Sequence, residues 1–432
     1  MIALNYLYFL IISVLGYKWL TSSGGYMKSP LDKTLSMRLD GPKMFWILTF
    51  STGLLAFSAP AGLDLMAVRL LVIELLCIMG LFLVKRRPVW SAAAVFYSVF
   101  ILWLVVGCFY SPAPSYGVRV IMKYVYILLI MLFASAAVRD AEVFLKSSIG
   151  ARTVGWISIL VFFIPGLSYA VPGVFWYGTA AAINYISLFT LSLALFYFTD
   201  EKRKNLWFCL LFALPCVLWV FRTSIMGTTL ALMVFMFFKY RFKSLPIIFG
   251  AFVLFICAVF FIPSVREKMF YDTSSANISQ LESGGISKDD IDSNGRFAMW
   301  DWSMAKFYEG HELIGSGTGN LQEVFYSLRH PFGPIRIVHC DYVQMLCDNG
   351  LIGIILFGCC FVCLIGHSFF VFQNKRYDTA THICAIVAGS SAAGVLLTMM
   401  TDNVINYSMA TISYPCGFYG MMLGLLTKYK KA

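Results

Sequence analysis

Charged residues are scarce in this sequence. Asp, Glu, Lys and Arg make up only 13% of its 432 residues, whereas hydrophobic residues make up 59%. This balance lies well outside the range of soluble globular proteins. The composition therefore excludes the soluble class and predicts a polytopic membrane protein.

Long polar stretches are also rare, because apolar runs recur along nearly the whole chain. About 13 runs have the roughly 17 to 25 residues needed to cross a bilayer. Their centres are Leu10, Leu54, Leu76, Leu102, Leu129, Leu160, Leu191, Phe212, Leu232, Phe255, Leu356, Ala388 and Met421. Helices are the expected spans, since lipid offers no partner for backbone polar groups. We predict an all-α polytopic membrane protein with about 12 to 13 transmembrane helices.

The chain shows no internal repeat, no low-complexity linker and no second soluble domain. We therefore predict a single membrane domain over residues 1–432, interrupted by one large hydrophilic loop at residues 264–342. The first apolar run lacks a basic start and a small-residue cleavage site, which predicts an extra N-terminal helix over residues 1–20 rather than a signal peptide.

Acidic residues are outnumbered, with 22 Asp and Glu against 33 Lys and Arg, for a net charge of +11. In a soluble protein this excess would suggest nucleic acid, but here the basic residues cluster at every second connection between spans. The clusters lie within 28–43, 85–87, 139–152, 202–204, 239–243, 375–376 and 428–431. By the positive-inside rule these clusters face the cytoplasm. The large loop and the connection at residues 402–407 then lie outside.

The twelve cysteines do not form a disulfide framework, because most lie within apolar runs and are expected to be small buried hydrophobes. Cys340 and Cys347, near the outer face, are the one candidate disulfide pair. Cys360 and Cys363 lie in mid-span without a nearby His, so zinc or redox chemistry is not expected there.

The large loop changes character along its length. Residues 274–294 are rich in Ser, Gly, Asp and Asn and are expected to be irregular. An amphipathic helix is predicted over residues 295–309, with Ser293 or Asn294 as its N-cap. Four residues recur there at helical spacing: Arg296, Trp300, Met304 and Phe307. Its aromatic side chains are expected to pack or to anchor at the membrane interface.

A Gly-Ser-Gly-Thr-Gly segment follows at residues 315–319. A dinucleotide-binding loop is excluded, because this segment follows a helix rather than a strand. Two interpretations remain: a tight turn beside the site, or backbone amides that face a lipid-linked phosphate.

Several cations lie at the outer ends of spans, where a charge is costly unless it reaches the interface or meets an anion. Arg222 begins the run around Leu232, and Arg119 and Lys123 lie one turn apart in another. Together with Arg296 of the loop, they predict a pocket for a phosphate or pyrophosphate, which arginine binds bidentately.

His339 is one of only five histidines. An imidazole can accept a proton at neutral pH, although an isolated interfacial histidine is more often structural. Asp341, Asp348 and Asp402 are candidates to orient it or to hold a substrate hydroxyl. No carboxylate pair or metal-ligand cluster stands beside them, so neither a metal nor a cofactor is indicated.

These residues resemble the O-antigen ligase and polymerase family of bacterial membrane enzymes. The family's ligase pattern is His, then Asn, Ser or Gln, nine residues, Gly, two residues, and Gly, Thr or Tyr. It reads here as His339, Cys340, nine residues, Gly350, and then Gly353, so only Cys340 departs from it. The other family marks, over roughly residues 43–427, lie at 110–112, 182–185, 221–224, Arg296 with Trp300, and 315–319. Phe221 stands where the family usually has Ser.

The resemblance implies a fold of the membrane glycosyltransferase type and transfer of a glycan from undecaprenyl pyrophosphate at the periplasmic face of the bacterial inner membrane. Arg222 and Arg296 would hold the pyrophosphate, His339 would be the general base, and Asn184 would bind substrate. The reaction would invert the anomeric carbon and need neither nucleotide nor metal. The acceptor would be a glycan or lipid A-core, with a chain-length regulator as a further partner.

Two forms of this enzyme remain open: a polymerase that joins lipid-linked repeats, which Cys340 favours, and a ligase that attaches finished glycan to lipid A-core. A lipid-glycan flippase or transporter is the alternative without catalysis, since Arg69, Glu74 and Lys123 could line a path. The missing internal repeat argues against it. A membrane scaffold would leave His339 and its cationic neighbours unexplained.

Overall fold

The computed structural model describes residues 27–28, 36–37, 41–52, 65–163, 179–218, 222–261 and 295–429. Over these ranges the chain is almost entirely helical. Strand pairing there is limited to a two-residue antiparallel contact between β1 (Met27–Lys28) and β2 (Ser36–Met37). The predicted all-α class is confirmed.

The described ranges contain the following α-helices: α1 (Gly41–Thr52), α2 (Leu65–Leu83), α3 (Ala92–Tyr110), α4 (Pro114–Ala137), α5 (Ala141–Phe163), α6 (Thr179–Phe198), α7 (Lys202–Leu218), α8 (Arg222–Tyr240), α9 (Leu245–Phe261), α10 (Arg296–Ser303), α11 (Asn320–Tyr326), α12 (Asp341–Gln373), α13 (Thr379–Thr398) and α14 (Ser413–Leu426). Short 3-10 helices lie at Arg241–Ser244, Val404–Tyr407 and Thr427–Tyr429.

Five described helices are long and apolar enough to cross a membrane: α3, α4, α8 with its following turn, α12 and α13. The chain is therefore a multi-pass membrane protein. Two predicted span centres, Leu10 and Leu54, lie outside the described residues. Every other predicted centre falls inside a helix, because an apolar run of this length can satisfy its backbone hydrogen bonds within lipid only by forming a helix.

Small residues bring α8 and α13 close together. A Cβ atom on Gly394 would lie 2.4 Å from the carbonyl oxygen of Gly227, so the two backbones touch where neither residue carries a side chain. Close backbone approach through small residues is typical of helix packing in membranes. This contact fixes the start of α8 beside the end of α13, where the candidate site lies.

Helix α12 is broken at Gly350, whose φ of 66° and ψ of −167° are not helical. The N–H groups released by the break are satisfied by the large loop, because Leu351 donates to the Glu312 carbonyl at 2.8 Å and Ile352 to the Leu313 carbonyl at 3.2 Å. A Cβ atom at position 350 would lie 2.4 Å from the Leu313 carbonyl carbon and oxygen. Only glycine fits this backbone and this contact.

The described part of the large loop folds around an apolar core of its own. The residues of that core are Met299, Phe307, Leu321, Val324, Phe325, Val338 and Cys347. The Trp300 indole donates to the Val338 carbonyl at 2.9 Å, and Trp302 lies edge-on to Phe325 at 6.1 Å. These aromatic side chains therefore pack within the loop.

The helix predicted over residues 295–309 is present as α10 and a π-helical turn at Met304–Tyr308. Its N-cap position is Gly295, with φ of 74°, rather than Ser293 or Asn294. Those two residues, like the rest of the expected irregular segment 274–294, lie outside the described ranges. Cys340 and Cys347 are both free thiols, so the candidate disulfide does not form.

Candidate functional site

Several predicted site residues contact the connection between α13 and α14. We call residues 401–406 of this connection the hub loop. The Arg296 guanidinium, at the start of α10, donates to the Thr401 carbonyl. The Thr401 hydroxyl also lies 3.0 Å from the Thr223 hydroxyl. Since Thr223 follows Arg222 in the first turn of α8, the start of α8 and Arg296 of α10 contact the hub loop from two different helices.

His339 faces the next residue of the hub loop. Its Nδ1 atom lies 3.8 Å from Asp402 Oδ1, within ion-pair distance but beyond a normal hydrogen bond. The histidine side chain is 31% exposed and the carboxylate only 6%, so the pair joins a buried anion to a partly open ring. Nδ1 itself is buried and makes no hydrogen bond. The pair is therefore looser than the hydrogen-bonded histidine and carboxylate of known general-base sites.

The backbone of His339 is in the left-handed region, with φ of 52°. A non-glycine residue there costs about 1 to 2 kcal/mol, and such strain persists only where the surroundings impose it. The backbone here is imposed by α12, whose first residue, Asp341, donates its N–H to the Met399 carbonyl at 3.0 Å. In this conformation the imidazole faces Asp402.

Asp341 and Lys123 hold the remaining part of the hub loop. The Asp341 side chain is buried and accepts the Ile405 N–H at 3.2 Å. The Lys123 ammonium on α4 donates to Asn406 Oδ1 at 2.6 Å. Both predicted residues thus contact the same short loop, from α12 and from α4.

Arg119 and Asn184 are predicted site residues that have no described contact with the hub loop. Arg119 lies one turn before Lys123 and stacks over the Tyr116 ring at 5.0 Å. Both cations line a cavity of about 90 Å³ that reaches Asn406. Asn184 lies in α6, and its side chain is outside the described part of the structure.

Cys340 is the N-cap residue of α12, and its Sγ atom accepts the Val343 N–H at 3.5 Å. Burial raises the pKa of its thiol to about 11, which disfavours the reactive thiolate form. Asn and Ser, which the family pattern allows at this position, are preferred N-cap residues. The departure at Cys340 therefore keeps the capping role of the position.

Residues 315–319, which we call the Gly clasp, close over the break in α12. Gly315, Gly317 and Gly319 have φ of 76°, 107° and 85°. A Cβ atom on any of them would lie within 2.5 Å of neighbouring backbone, including Ser111 after α3 and Gly117 on α4. The clasp thus fastens the large loop to two membrane-spanning helices.

Every backbone N–H of the clasp has an acceptor inside the protein. Those acceptors are the carbonyls of His311, Cys347, Asp348 and Gly107 and the Asp348 carboxylate. Amides that are already bonded cannot cradle a phosphate. Of the two interpretations of this segment, the tight turn is the one that the structure supports.

Asp348 serves the clasp rather than the histidine. Its Oδ2 atom accepts the Gly319 N–H at 3.1 Å and its Oδ1 atom accepts the Leu321 N–H at 2.8 Å. It thereby caps the start of α11 from a different helix. Of the three carboxylates considered from the sequence, Asp402 is the one that faces His339.

Sequence reasoning missed most of the hub loop. Asn403 and Asn406 were part of the outward connection at residues 402–407 with no assigned role, Thr401 lay just before it, and Thr223 was only the neighbour of Arg222. The available signal is the polar run at residues 401–403 directly after the apolar residues of α13.

The comparisons with known proteins bear on this arrangement. A search of curated proteins found no match. A family model described as O-antigen ligase matches residues 207–358, which include Arg222, Arg296 and His339 but end before the hub loop. This match supports the resemblance to the O-antigen ligase and polymerase family that the sequence predicted, over residues 207–358.

Proposed function

We propose that this protein transfers a glycan from an undecaprenyl-pyrophosphate donor to an acceptor hydroxyl at the periplasmic face of the bacterial inner membrane. One observation carries the proposal. The hub loop joins the starts of the two helices that begin with arginine to a buried carboxylate facing a histidine. Anion binding and proton transfer would thus take place within a few ångströms of each other.

The two arginines suit a pyrophosphate. Arg222 and Arg296 are the first residues of α8 and α10, so the unsatisfied N–H groups and the positive dipole end of each helix add to the guanidinium charges. Guanidinium groups also bind phosphate oxygens bidentately. In this role they would stabilise the charge that develops on the leaving group.

His339 suits the role of general base. Because Nδ1 faces Asp402, the carboxylate favours the tautomer that carries its proton on Nδ1, and Nε2 is left to accept a proton. A hydroxyl held near Nε2 would become nucleophilic as its proton is withdrawn.

The step balances without a redox partner. The acceptor O–H bond breaks and its proton goes to His339 Nε2, while the acceptor oxygen forms a bond to the anomeric carbon of the donor sugar. The bond between that carbon and the pyrophosphate oxygen breaks, and its electron pair leaves with undecaprenyl pyrophosphate. Direct displacement inverts the anomeric carbon. Two guanidinium groups would supply the charge that a metal supplies elsewhere.

The polymerase and ligase forms share this step and differ in the acceptor, which is a second lipid-linked glycan or lipid A-core. Cys340 keeps the capping role of its position, so it does not separate the two forms. A chain-length regulator would act only with the polymerase. The glycan products of the reaction therefore distinguish the polymerase from the ligase.

The test compares His339→Ala and Arg296→Ala with His311→Ala and Arg329→Ala in a strain that lacks its own copy of the gene. The last two are matched controls, because His311 and Arg329 are exposed residues of the same loop. We expect the first two variants to reach the membrane but to lose the product, and the controls to keep it. Normal product from both site variants would exclude catalysis at this site.

The same experiment separates the forms. Loss of long chains while short glycan is still attached to lipid A-core identifies the polymerase. Accumulation of unattached lipid-linked polymer identifies the ligase. If glycan instead remains on the cytoplasmic face in both site variants, the flippase alternative is correct.

A further inference from the structure

Beside the hub loop lies a surface that the proposed reaction does not use. Its members are Tyr116 and Arg119 on α4, Tyr326 at the end of α11, and Arg336 of the large loop. The rings of Tyr116 and Tyr326 are 5.8 Å apart, Arg119 lies over Tyr116 at 5.0 Å, and Arg336 lies over Tyr326 at 5.3 Å. We call these four residues the tyrosine–arginine platform.

The platform is accessible. Arg119 and Arg336 are exposed, Tyr326 is 40% exposed, and Tyr116 is half-buried. Tyrosine rings that remain exposed present an apolar face and a polar hydroxyl, a combination common at binding surfaces. The two arginines extend this aromatic surface with planar, positively charged groups.

The cavity of about 90 Å³ opens beside the two tyrosines and leads to the hub loop. Its polar lining comes from Lys123, Gln322, Asn406 and Ser408. Gln322 Oε1 is buried there without a hydrogen-bond partner. The volume corresponds to about three water molecules. It therefore suits a substituent of a sugar ring, whereas the ring itself would lie on the tyrosines.

The charge of this region has one sign. Of the described residues that line the cavity, Arg119 and Lys123 are cations and none carries a carboxylate. Arg336 adds a third cation at the rim. Lys123 already donates to Asn406, so Arg119 and Arg336 are the cations that present their guanidinium groups at the surface. A carboxylate accepts two parallel hydrogen bonds from a guanidinium, whereas a neutral sugar offers no such group.

We propose that the tyrosine–arginine platform binds the sugar chain of the substrate and selects an acidic sugar, such as a uronic acid. This inference rests on the proposed function, since it assigns the substrate class of the same site. The rings would stack on the apolar faces of the sugars, while Arg119 and Arg336 would bind their carboxylates. The cavity would lead the chain toward Asn406 and from there to His339.

The test uses the purified full-length protein and a fluorescent trigalacturonate, with binding followed by fluorescence anisotropy. Unlabelled trigalacturonate, neutral maltotriose and inorganic pyrophosphate serve as competitors. We expect trigalacturonate to compete about ten-fold or more better than maltotriose, since one charge-assisted contact is worth that factor. Rising salt should weaken only the acidic ligand.

Variants identify the surface. Arg119→Ala with Arg336→Ala should weaken trigalacturonate binding about ten-fold or more and leave maltotriose unchanged. Tyr326→Ala should weaken both sugars. Arg329→Ala is the matched control, because this exposed arginine is paired with Glu323 on α11 and should have no effect. Equal binding of the acidic and neutral trimers, or wild-type binding by the double variant, would overturn the inference.

Two further outcomes keep this inference apart from the proposed function. If pyrophosphate displaces trigalacturonate and the double variant loses pyrophosphate binding, the platform belongs to the carrier phosphate and the inference fails. His339→Ala should bind trigalacturonate normally. A protein that needs His339 for product but does not distinguish the two trimers would keep the proposed function and lose this inference.

Discussion

The Gly clasp and the hub loop lie at the same end of the helix bundle but treat their polar groups in opposite ways. In the clasp every backbone N–H is bonded, and Asp348 uses both carboxylate oxygens. Around the hub loop, His339 Nδ1 and Asn403 Oδ1 are buried without a hydrogen bond. Each such atom costs about 1 to 3 kcal/mol. The difference indicates a rigid clasp, whereas in the proposed function the two unbonded atoms beside the hub loop would be available to a ligand.

The largest effect is expected where the clasp meets α12. Gly350→Ala places a Cβ atom 2.4 Å from the Leu313 backbone at a φ of 66°, so we expect loss of about 4 kcal/mol or more and little folded protein. Size-exclusion profiles and thermal unfolding in detergent measure this. Gly333→Ala is the control, because Gly333 has φ of 69° but no atom within 4 Å of its added Cβ. Equal unfolding temperatures of the two variants would mean that the backbone around Gly350 shifts easily to accept a side chain.

The next prediction sets one carboxylate of each region against the other. Asp402→Asn keeps the shape of the side chain but removes the charge facing His339, so transfer per folded molecule should fall about 100-fold or more with little change in the unfolding temperature. Asp348→Asn should do the reverse. It replaces one of two acceptors with a donor, at a cost of about 1 to 3 kcal/mol, and leaves transfer per folded molecule intact.

Both quantities are measured on the same preparations, as initial transfer rates normalised to folded protein and as thermal unfolding midpoints. If Asp348→Asn abolishes transfer in well-folded protein, or Asp402→Asn merely unfolds it, the division between a structural clasp and a functional hub loop is wrong.

A smaller effect is expected for Arg296→Lys. The guanidinium donates to the Thr401 carbonyl and, in the proposed function, also binds the donor pyrophosphate. A lysine ammonium lacks the planar fork that does both, so KM for the donor should rise about ten-fold. Arg329→Lys, in an exposed ion pair with Glu323, should leave KM unchanged. An unchanged KM in Arg296→Lys would remove this arginine from the donor site.

The smallest effect concerns Cys340. Cys340→Ser should keep transfer within about two-fold and the unfolding temperature at least as high, because serine is the better N-cap. Cys340→Ala should cost about 0.5 to 2 kcal/mol. Burial raises the pKa of the folded thiol to about 11, above its ordinary value of about 8.5. The wild-type protein should therefore lose stability between about pH 8.5 and 11 through this group.

Cys340→Ser lacks this alkaline loss, because a hydroxyl does not ionise in that range. Thermal unfolding of both proteins from pH 7 to 10.5 measures the difference. An identical pH dependence of the two proteins would show that ionisation of the Cys340 thiol does not change the stability of the fold.

The sequence predicted the parts of the fold that depend on local pattern. Apolar length predicted helices, the spacing of Arg296 and Trp300 predicted α10, and a tight turn was one of the two interpretations of residues 315–319. The hub loop could not be predicted in the same way. Its contact with Arg296 joins residues 105 positions apart, and such pairs leave no periodicity in the sequence.

The break at Gly350 was hidden for a related reason. The residues after it read as one continuous apolar run, and the reason for the break is the loop backbone at Leu313, which the run itself does not reveal. Which of Asp341, Asp348 and Asp402 faces His339 likewise depended on the fold. Asp402 is far from His339 in sequence but lies beside it in space.

The position of the hub loop has a consequence for biosynthesis. Chains emerge N-terminus first and helices are inserted in order, so Arg222, Arg296 and His339 are all made before residues 401–406 exist. Until α13 has crossed the membrane, Asp402 is absent and the histidine has no carboxylate beside it. A partly synthesised chain would therefore carry the proposed base and cations but would transfer a lipid-linked glycan only slowly.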